Sequence, residues 1–169
     1  MIAAVDNTNL FQAAAIHSIS WQESHRSFCP MDFVAMHTPE RQQEYIRSKM
    51  NSGSRFYLLV EDAPAGIVSI RENLIEDLYI LPDKQNMGYG TKLLRFAVGQ
   101  CVGIPTLWIL ENNNDAKRLY QRLGFQETGR TNTIADGLDE IELSLSTASD
   151  APEPLAMPNC QPAPRAGVI

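Results

Sequence analysis

Between Arg55 and Leu81 the chain sets three runs rich in Ile, Val, Leu, Phe and Tyr almost end to end: RFYLLVE (55–61), GIVSIRE (66–72) and LIEDLYIL (74–81). Such runs suit the pleated, half-buried surface of a sheet. Only DAPA separates the first two, and only Asn73 the last two. A parallel crossover needs about a dozen residues or more, so links this short leave antiparallel pairing. The predicted centre of the fold is therefore a meander, around which every other element must find a place.

On the N-terminal side, IAAV (2–5) is a further strand candidate, and Asn7 or Thr8 is placed to cap a helix after it. Leu10, Ala13, Ala14, His17 and Trp21 recur at helical spacing, which predicts an amphipathic helix over 9–23. SHRSFCPMDF interrupts it. Thr38-Pro39-Glu40 then opens a second helix with a capping residue, a proline at the first helical position and an acid near the positive end. It runs to about Asn51, and Gly53 is placed to end it. Beyond the meander come a helix over 88–101, with Leu93, Leu94, Ala97 and Val98 inward, a buried strand TLWIL (106–110), and a helix in NDAKRLYQRLGF stopped by Gly124. FQETGR and DEIELSL close the domain as a hairpin with Asp136-Gly137 in or near its turn. The predicted fold class is mixed α/β, a mostly antiparallel sheet flanked by helices on both faces. From about Thr147 the character changes: TASDAPEPLAMPNCQPAPRAGVI holds five prolines and almost no amphipathic period. The expected division is a domain over 1–146 and a Pro/Ala-rich tail over 147–169.

The formal charge of −6 is spread along the chain rather than gathered in blocks. That balance disfavours nucleic acid, whose binding relies on Lys and Arg at phosphates, and mildly favours a cationic small molecule or a basic peptide. No apolar run approaches the ~20 residues needed to span a bilayer. MIAAVDNTN also lacks a basic leader region, so an intracellular, cytoplasmic protein without membrane attachment is expected. Cys29, Cys101 and Cys160 fit neither a disulfide framework nor a zinc site. His17, His25 and His37 lack metal-ligand spacing, so no metal is expected. His17, among Ala13, Ala14 and Ile16, reads as a packed or half-exposed side chain rather than a ligand.

The stretch LYILPDKQNMGYGTKLL (78–94) ends a strand at a proline and restarts as a helix, with Gly88 and Gly90 at the helix mouth. Glycine there costs about 1 kcal/mol relative to alanine. Two explanations stay open on these residues alone. The glycines ease a sharp turn, or they bare the unpaired N–H groups of the first helical turn, where the dipole is positive, to an anion such as pyrophosphate. The third glycine of a dinucleotide fingerprint and the Gly-Lys-Ser/Thr of a P-loop are both missing.

Gln85-x-x-Gly88-x-Gly90 after DLYILP, followed by LWILENNNDAKRLYQRLGF, resembles the GNAT superfamily of acyl-CoA-dependent N-acyltransferases over roughly residues 2–145. The Gln-x-x-Gly-x-Gly loop is similar to that family's pyrophosphate site for coenzyme A, and Asn113-x-x-Ala116-x-x-x-Tyr120-x-x-x-Gly124-Phe125 to its second signature. SWQESHR, with Pro30 after it, looks like the first-helix region where the acceptor pocket of many members begins. The resemblance implies a GNAT fold whose fourth and fifth strands splay, with acetyl-CoA as co-substrate. It also implies that backbone groups of Leu78, Tyr79 and Ile80 pair with the pantetheine arm, that Gln85, Asn86, Met87, Gly88, Tyr89, Gly90 and Thr91 form the pyrophosphate loop, and that Asn113 bonds the pantetheine or a water. Tyr120 is implied as the general acid that protonates the leaving thiolate, a role open to a phenol of pKa ~10.

The attacking amine must also lose a proton. Glu76 and Asp77 are the nearby carboxylates, and strand alternation predicts that they point to opposite faces, Glu76 with Leu78 and Ile80, Asp77 with Tyr79. Glu76 is the preferred base; Asp77 and a water remain alternatives. Trp21, Glu23, His25, Arg26 and Phe28 are candidates for the acceptor pocket. The function implied is acetyl transfer from acetyl-CoA to a primary amine of a small molecule or peptide by direct attack in a ternary complex. The alternative is a non-catalytic acyl-CoA-binding sensor or interaction module. The tail and its final GVI could dock on a second subunit, which leaves a homodimer open, or enter the acceptor cleft.

Overall fold

The computed structural model describes residues 1–27, 29–135 and 138–146. In chain order the elements are β1 (Ile2–Ala4), α1 (Leu10–His25), α2 (Met31–Ala35), α3 (Pro39–Asn51), β2 (Arg55–Val60), β3 (Pro64–Arg71), β4 (Leu74–Ile80), α4 (Tyr89–Gln100), β5 (Thr106–Leu110), α5 (Asn114–Arg122), β6 (Phe125–Ala135) and β7 (Leu138–Leu145). The meander forms as expected, with β2, β3 and β4 antiparallel in turn. The whole is a seven-stranded sheet in the order β1-β2-β3-β4-β5-β7-β6. Among the described residues only β4 and β5 run parallel, which the α4 crossover between them allows.

Side-chain alternation sorts each central strand into two cores. Phe56, Leu58, Ile67 and Tyr79 pack with Leu10, Ala13, Ala14, Trp21 and Ile46 of α1 and α3. Leu59, Val68, Ile70, Ile75, Leu78 and Ile80 pack with Leu93, Leu94, Ala97 and Tyr120 of α4 and α5. Helices therefore cover both faces of a mostly antiparallel sheet.

Local signals account for most helix ends. Thr38 Oγ1 accepts from the Arg41 N–H at 3.4 Å with Pro39 at the first helical position, and Gly53 follows α3 at φ 97°. The cap of α1 is Asn9 rather than Asn7 or Thr8, and its Oδ1 accepts from the Asp6 N–H at 2.9 Å. Two elements depart from the sequence reading. Inside SHRSFCPMDF, Pro30 and Asp32 start the five-residue helix α2, which is too short to show a period. β6 extends to Ala135, well past FQETGR, because register shifts between Glu127 and Thr131 break its alternation, with Gly129 at φ 83° inside them. The Asp136-Gly137 turn, Phe28 and the tail over 147–169 lie outside the described residues.

A correction arises in β4. Ser69 pairs with Asp77 but the next residue, Ile70, pairs with Ile75, so Glu76 is an extra residue in a bulge. The alternation that predicted opposite faces for Glu76 and Asp77 is broken at that point. Glu76 does not share a face with Leu78 and Ile80. Both carboxylates point toward α1 and α3.

Candidate active site

Three helices begin near the sheet in different ways. Thr38 caps α3, and Asn113 caps α5 by accepting from the Ala116 N–H at 3.1 Å. Both helices also carry an acid in the first turn, Glu40 and Asp115. α4 has neither: its N-cap is Gly88 in the left-handed region at φ 83°, with no side-chain cap and no acid in the first turn. Asn86, at φ 61°, makes the other left-handed step of the loop. An uncapped, acid-free helix start keeps its donors and positive potential for a ligand.

That helix start opens into a cleft walled by Leu78, Ile80, Gln85, Asn86, Gly88, Gly90 and Thr91 on one side and by Asp115, Ala116, Leu119 and Arg122 on the other, with Asp115 ion-paired to Arg118. A Cβ on Gly90 would stand 3.2 Å from Leu119 Cδ2, so this glycine keeps the cleft wall in place. Gln85 does two things. It lines the cleft, and its side-chain amide donates to the Ile80 carbonyl at 3.3 Å, latching the loop to the end of β4. The exposed Met87 and half-buried Tyr89 stand outside the cleft walls. Asn113 spends its side-chain oxygen on the α5 cap.

Beside the cleft the sheet forks. β4 and β5 pair only at Leu74–Thr106 and Ile75–Leu107. Beyond Ile75, the β5-facing edge of β4 has no strand partner among the described residues, and Leu78, Tyr79 and Ile80 lie on this stretch. Tyr120 is fully buried with its ring edge toward Phe125. Its hydroxyl has no hydrogen-bond partner among the described residues. Burial pushes the phenol well above its ordinary pKa, so it stays a proton donor across the neutral range. An unpaired buried hydroxyl is costly, and a ligand atom that accepts from it resolves the cost.

The opposite face of β4 is polar. Glu76 accepts from Lys49 Nζ at 2.6 Å on one oxygen and from Ser54 Oγ on the other. Asp77, completely buried, accepts from Ser69 Oγ at 2.6 Å and from the Tyr45 hydroxyl at 3.3 Å. His17 Nε2 stands 3.6 Å from the other Asp77 oxygen. Burial, then the Asp77 and Glu76 charges, raise the Tyr45 phenol; burial, then Asp77, raise that of Tyr79.

Residues 52–127, which hold the loop, the fork and Tyr120, match the family model described as Acetyltransferase (GNAT) domain. The solution structure of apo-form YjaB from Escherichia coli superposes with a TM-score of 0.65 over 88% of this chain and 98% of that one, at 20% identity. The structure of yncA from Salmonella typhimurium with its cofactor acetyl-CoA gives 0.63 over 90% and 97%, at 18% identity. The fold is that of the GNAT acetyltransferases. The chain is also 31% identical over 71 residues to the peptidyl-lysine N-acetyltransferase YjaB of Salmonella typhimurium, a match spanning 42% of this chain and about half, 48%, of that relative.

On this GNAT scaffold the acceptor candidates from the first helix separate. Trp21 is buried and stacked between His25 and His37, with ring centroids at 3.9 and 3.4 Å. Burial holds the His25 pKa down to about 4, so its ring is neutral near pH 7. Glu23 and Arg26 pair with each other at 2.7 Å on the exposed side of α1, away from the sheet. Sequence reasoning passed over Tyr45, Ser69, Lys49 and Ser54, whose hydrogen bonds reach across the chain to β4. His17 lay in the helical pattern as a packed residue; packed it is, but against a carboxylate. No helix of the described residues is long and apolar enough to cross a membrane.

Proposed function

We propose that the chain is an N-acetyltransferase that transfers an acetyl group from acetyl-CoA to a primary amine of a small molecule or peptide by direct attack in a ternary complex. One observation carries the reading. The uncapped start of α4 and the open edge of β4 meet at one cleft, and Tyr120, whose hydroxyl has no partner among the described residues, is buried on the same helix, α5, that supplies the Ala116 and Leu119 wall. These residues fit coenzyme A: N–H groups from Asn86 to Thr91 for the pyrophosphate, and the Leu78–Ile80 edge for the pantetheine arm, like an added strand. When bound, the thioester supplies an activated acyl carbon and a thiolate leaving group. Tyr120, kept protonated by burial, is the donor for that thiolate.

Glu76 fits the base role poorly, because both of its oxygens are already hydrogen-bonded and one is ion-paired to Lys49. The acidic face of β4 suits an amine that arrives as a cation, and the peptidyl-lysine specificity of the YjaB relative makes a lysyl peptide the first acceptor to try. The test is thiol release from acetyl-CoA with a panel of amines, including a terminally blocked glycyl-lysyl-glycine peptide. Tyr120→Phe, which keeps the ring, should lower turnover about 100-fold or more with acetyl-CoA affinity by calorimetry nearly unchanged. Full turnover in that variant would assign Tyr120 to packing.

A further inference from the structure

Four buried side-chain atoms lack a hydrogen-bond partner among the described residues: both ring nitrogens of His17 and the hydroxyls of Tyr79 and Tyr120. Buried polar atoms are nearly always satisfied, and exceptions call for an explanation. Two of these residues touch: the Tyr79 ring meets His17 edge-on at 4.8 Å, and burial, then Asp77, with smaller contributions from Tyr45 and Tyr120, raises the Tyr79 phenol. Tyr79 stands on the α1/α3 face and Tyr120 in the α4/α5 core, so the group crosses the sheet where β4 and β5 have parted.

The surroundings single out one proton acceptor. The phenols of Tyr45, Tyr79 and Tyr120 are all raised by burial and rest protonated. Glu76 is held by Lys49 and Ser54, and Glu142 by Arg130 and Thr128. Glu140 accepts from Asn132. Asp77 is bonded by Ser69 and Tyr45. His17 remains, a base with neither nitrogen bonded and a carboxylate at 3.6 Å.

We infer that His17, backed by Asp77, accepts the proton that the acceptor ammonium must lose before it attacks, with the Tyr79 hydroxyl as the link to the fork. This rests on the transferase reading above. The ammonium N–H bond breaks and its electron pair stays on nitrogen; the Tyr79 oxygen takes that proton as its own passes to the imidazole. The product is a neutral amine and an imidazolium beside the Asp77 carboxylate, and the proton goes to solvent between turnovers. The groups facing His17 are Asp77 and Tyr79 from β4 and Tyr45 from α3; His25 and His37 sense its charge from α1 and the segment before α3. Glu76 and Glu140 act one residue further out, on Tyr45 and Tyr79.

The test uses the full chain with saturating acetyl-CoA and the blocked glycyl-lysyl-glycine peptide, following kcat/KM for the peptide from pH 5 to 10, with acetyl-CoA binding measured separately by calorimetry. An acid limb is expected. Asp77→Asn removes the counter-charge of the imidazolium and should move that limb to lower pH. His17→Gln should abolish the limb and lower kcat about 100-fold without changing acetyl-CoA affinity. A packing role predicts a lower Tm with the limb unmoved in both variants, and that result overturns the inference. Should His17→Gln not fold, the limb of Asp77→Asn decides alone. Acetyl-CoA binding without transfer at any pH also overturns it, leaving the cofactor site intact; absence of acetyl-CoA binding overturns the transferase reading itself.

Discussion

The two faces of the sheet are built from different materials. Toward α4 and α5 the core is mostly aliphatic with Phe125 and Tyr120, and among the described residues Tyr120 is the fully buried one in it that carries a hydroxyl. Toward α1 and α3 the same strands bury Ser69, Glu76 and Asp77 among Phe56, Ile67 and Tyr79, with His17, Ser18, Ser20, His25 and Gln42 in the covering helices. Glu140 and Glu142 alternate with the inward Ile141 and Leu143 and so fall on this polar face as well. A face whose task was only to hold helices on a sheet would do so more stably with methyl groups, since each buried polar group must recover its desolvation through partners. Most of these groups do. The unpaired ones gather at the fork, where chemistry is proposed, and that concentration separates a site from a core.

The largest effect is expected on the apolar face. Leu93→Ala removes a fully buried side chain and should lower stability by about 4 kcal/mol in urea denaturation. That loss should be the same at pH 7 and pH 5, because nothing that titrates in that window touches the cavity. Acid should sharpen the contrast by acting on the polar face alone. His25 has a folded pKa of about 4 against an ordinary 6.5, so the native state excludes a proton that the unfolded chain accepts. Its contribution is complete above about 6.5 and is lost as pH falls toward 4, at up to about 1.4 kcal/mol per pH unit and about 3 kcal/mol in all. His25→Asn should flatten the dependence of Tm on pH over that window; an unchanged slope would mean that another group carries the acid sensitivity.

The next effect tests whether pairing is what makes the polar face tolerable. Lys49→Met leaves the buried Glu76 with only the more distant Arg71 guanidinium, at 3.7 Å, and should cost about 2 kcal/mol, below the fully buried case because Lys49 keeps some exposure and Arg71 remains. Lys49→Met combined with Glu76→Gln should recover most of it by thermal melts, and failure to recover would show that the lysine acts through packing instead. The smallest effect belongs to the cleft loop. Gly88→Ala meets no atom within 4 Å but must hold φ at 83°, so about 1 kcal/mol should be lost through backbone strain alone. An unaffected melting curve would show that the loop relaxes out of the left-handed turn.

Much of this was legible in the residues. Short links between β-rich runs admit only antiparallel pairing, the Thr38-Pro39-Glu40 start of α3 is a local device, and Gly88 and Gly90 mark the loop because no other residue takes φ 83° or fits against Leu119 as easily. Tyr120 was found through the likeness of Asn113-x-x-Ala116-x-x-x-Tyr120-x-x-x-Gly124-Phe125 to the second GNAT signature. The short links, the α3 start and the two glycines are properties of neighbours in sequence, and local sterics and hydrogen bonding determine them without reference to the rest of the fold.

Tertiary structure alone decided the rest. Five-residue α2 has no period to read, and β6 hides its length behind register shifts. The bulge at Glu76 is a mismatch in pairing between β3 and β4, and neither strand carries it by itself; yet it turns Glu76 and Asp77 to the same face. The neighbours of His17 come from elements far along the chain, Tyr45 of α3 and Asp77 and Tyr79 of β4. Whether a histidine among alanines is inert or set against a carboxylate depends on which strand its helix crosses. That crossing is set by packing the two cores together, an energy summed over the whole domain, and no local stretch of sequence contains it.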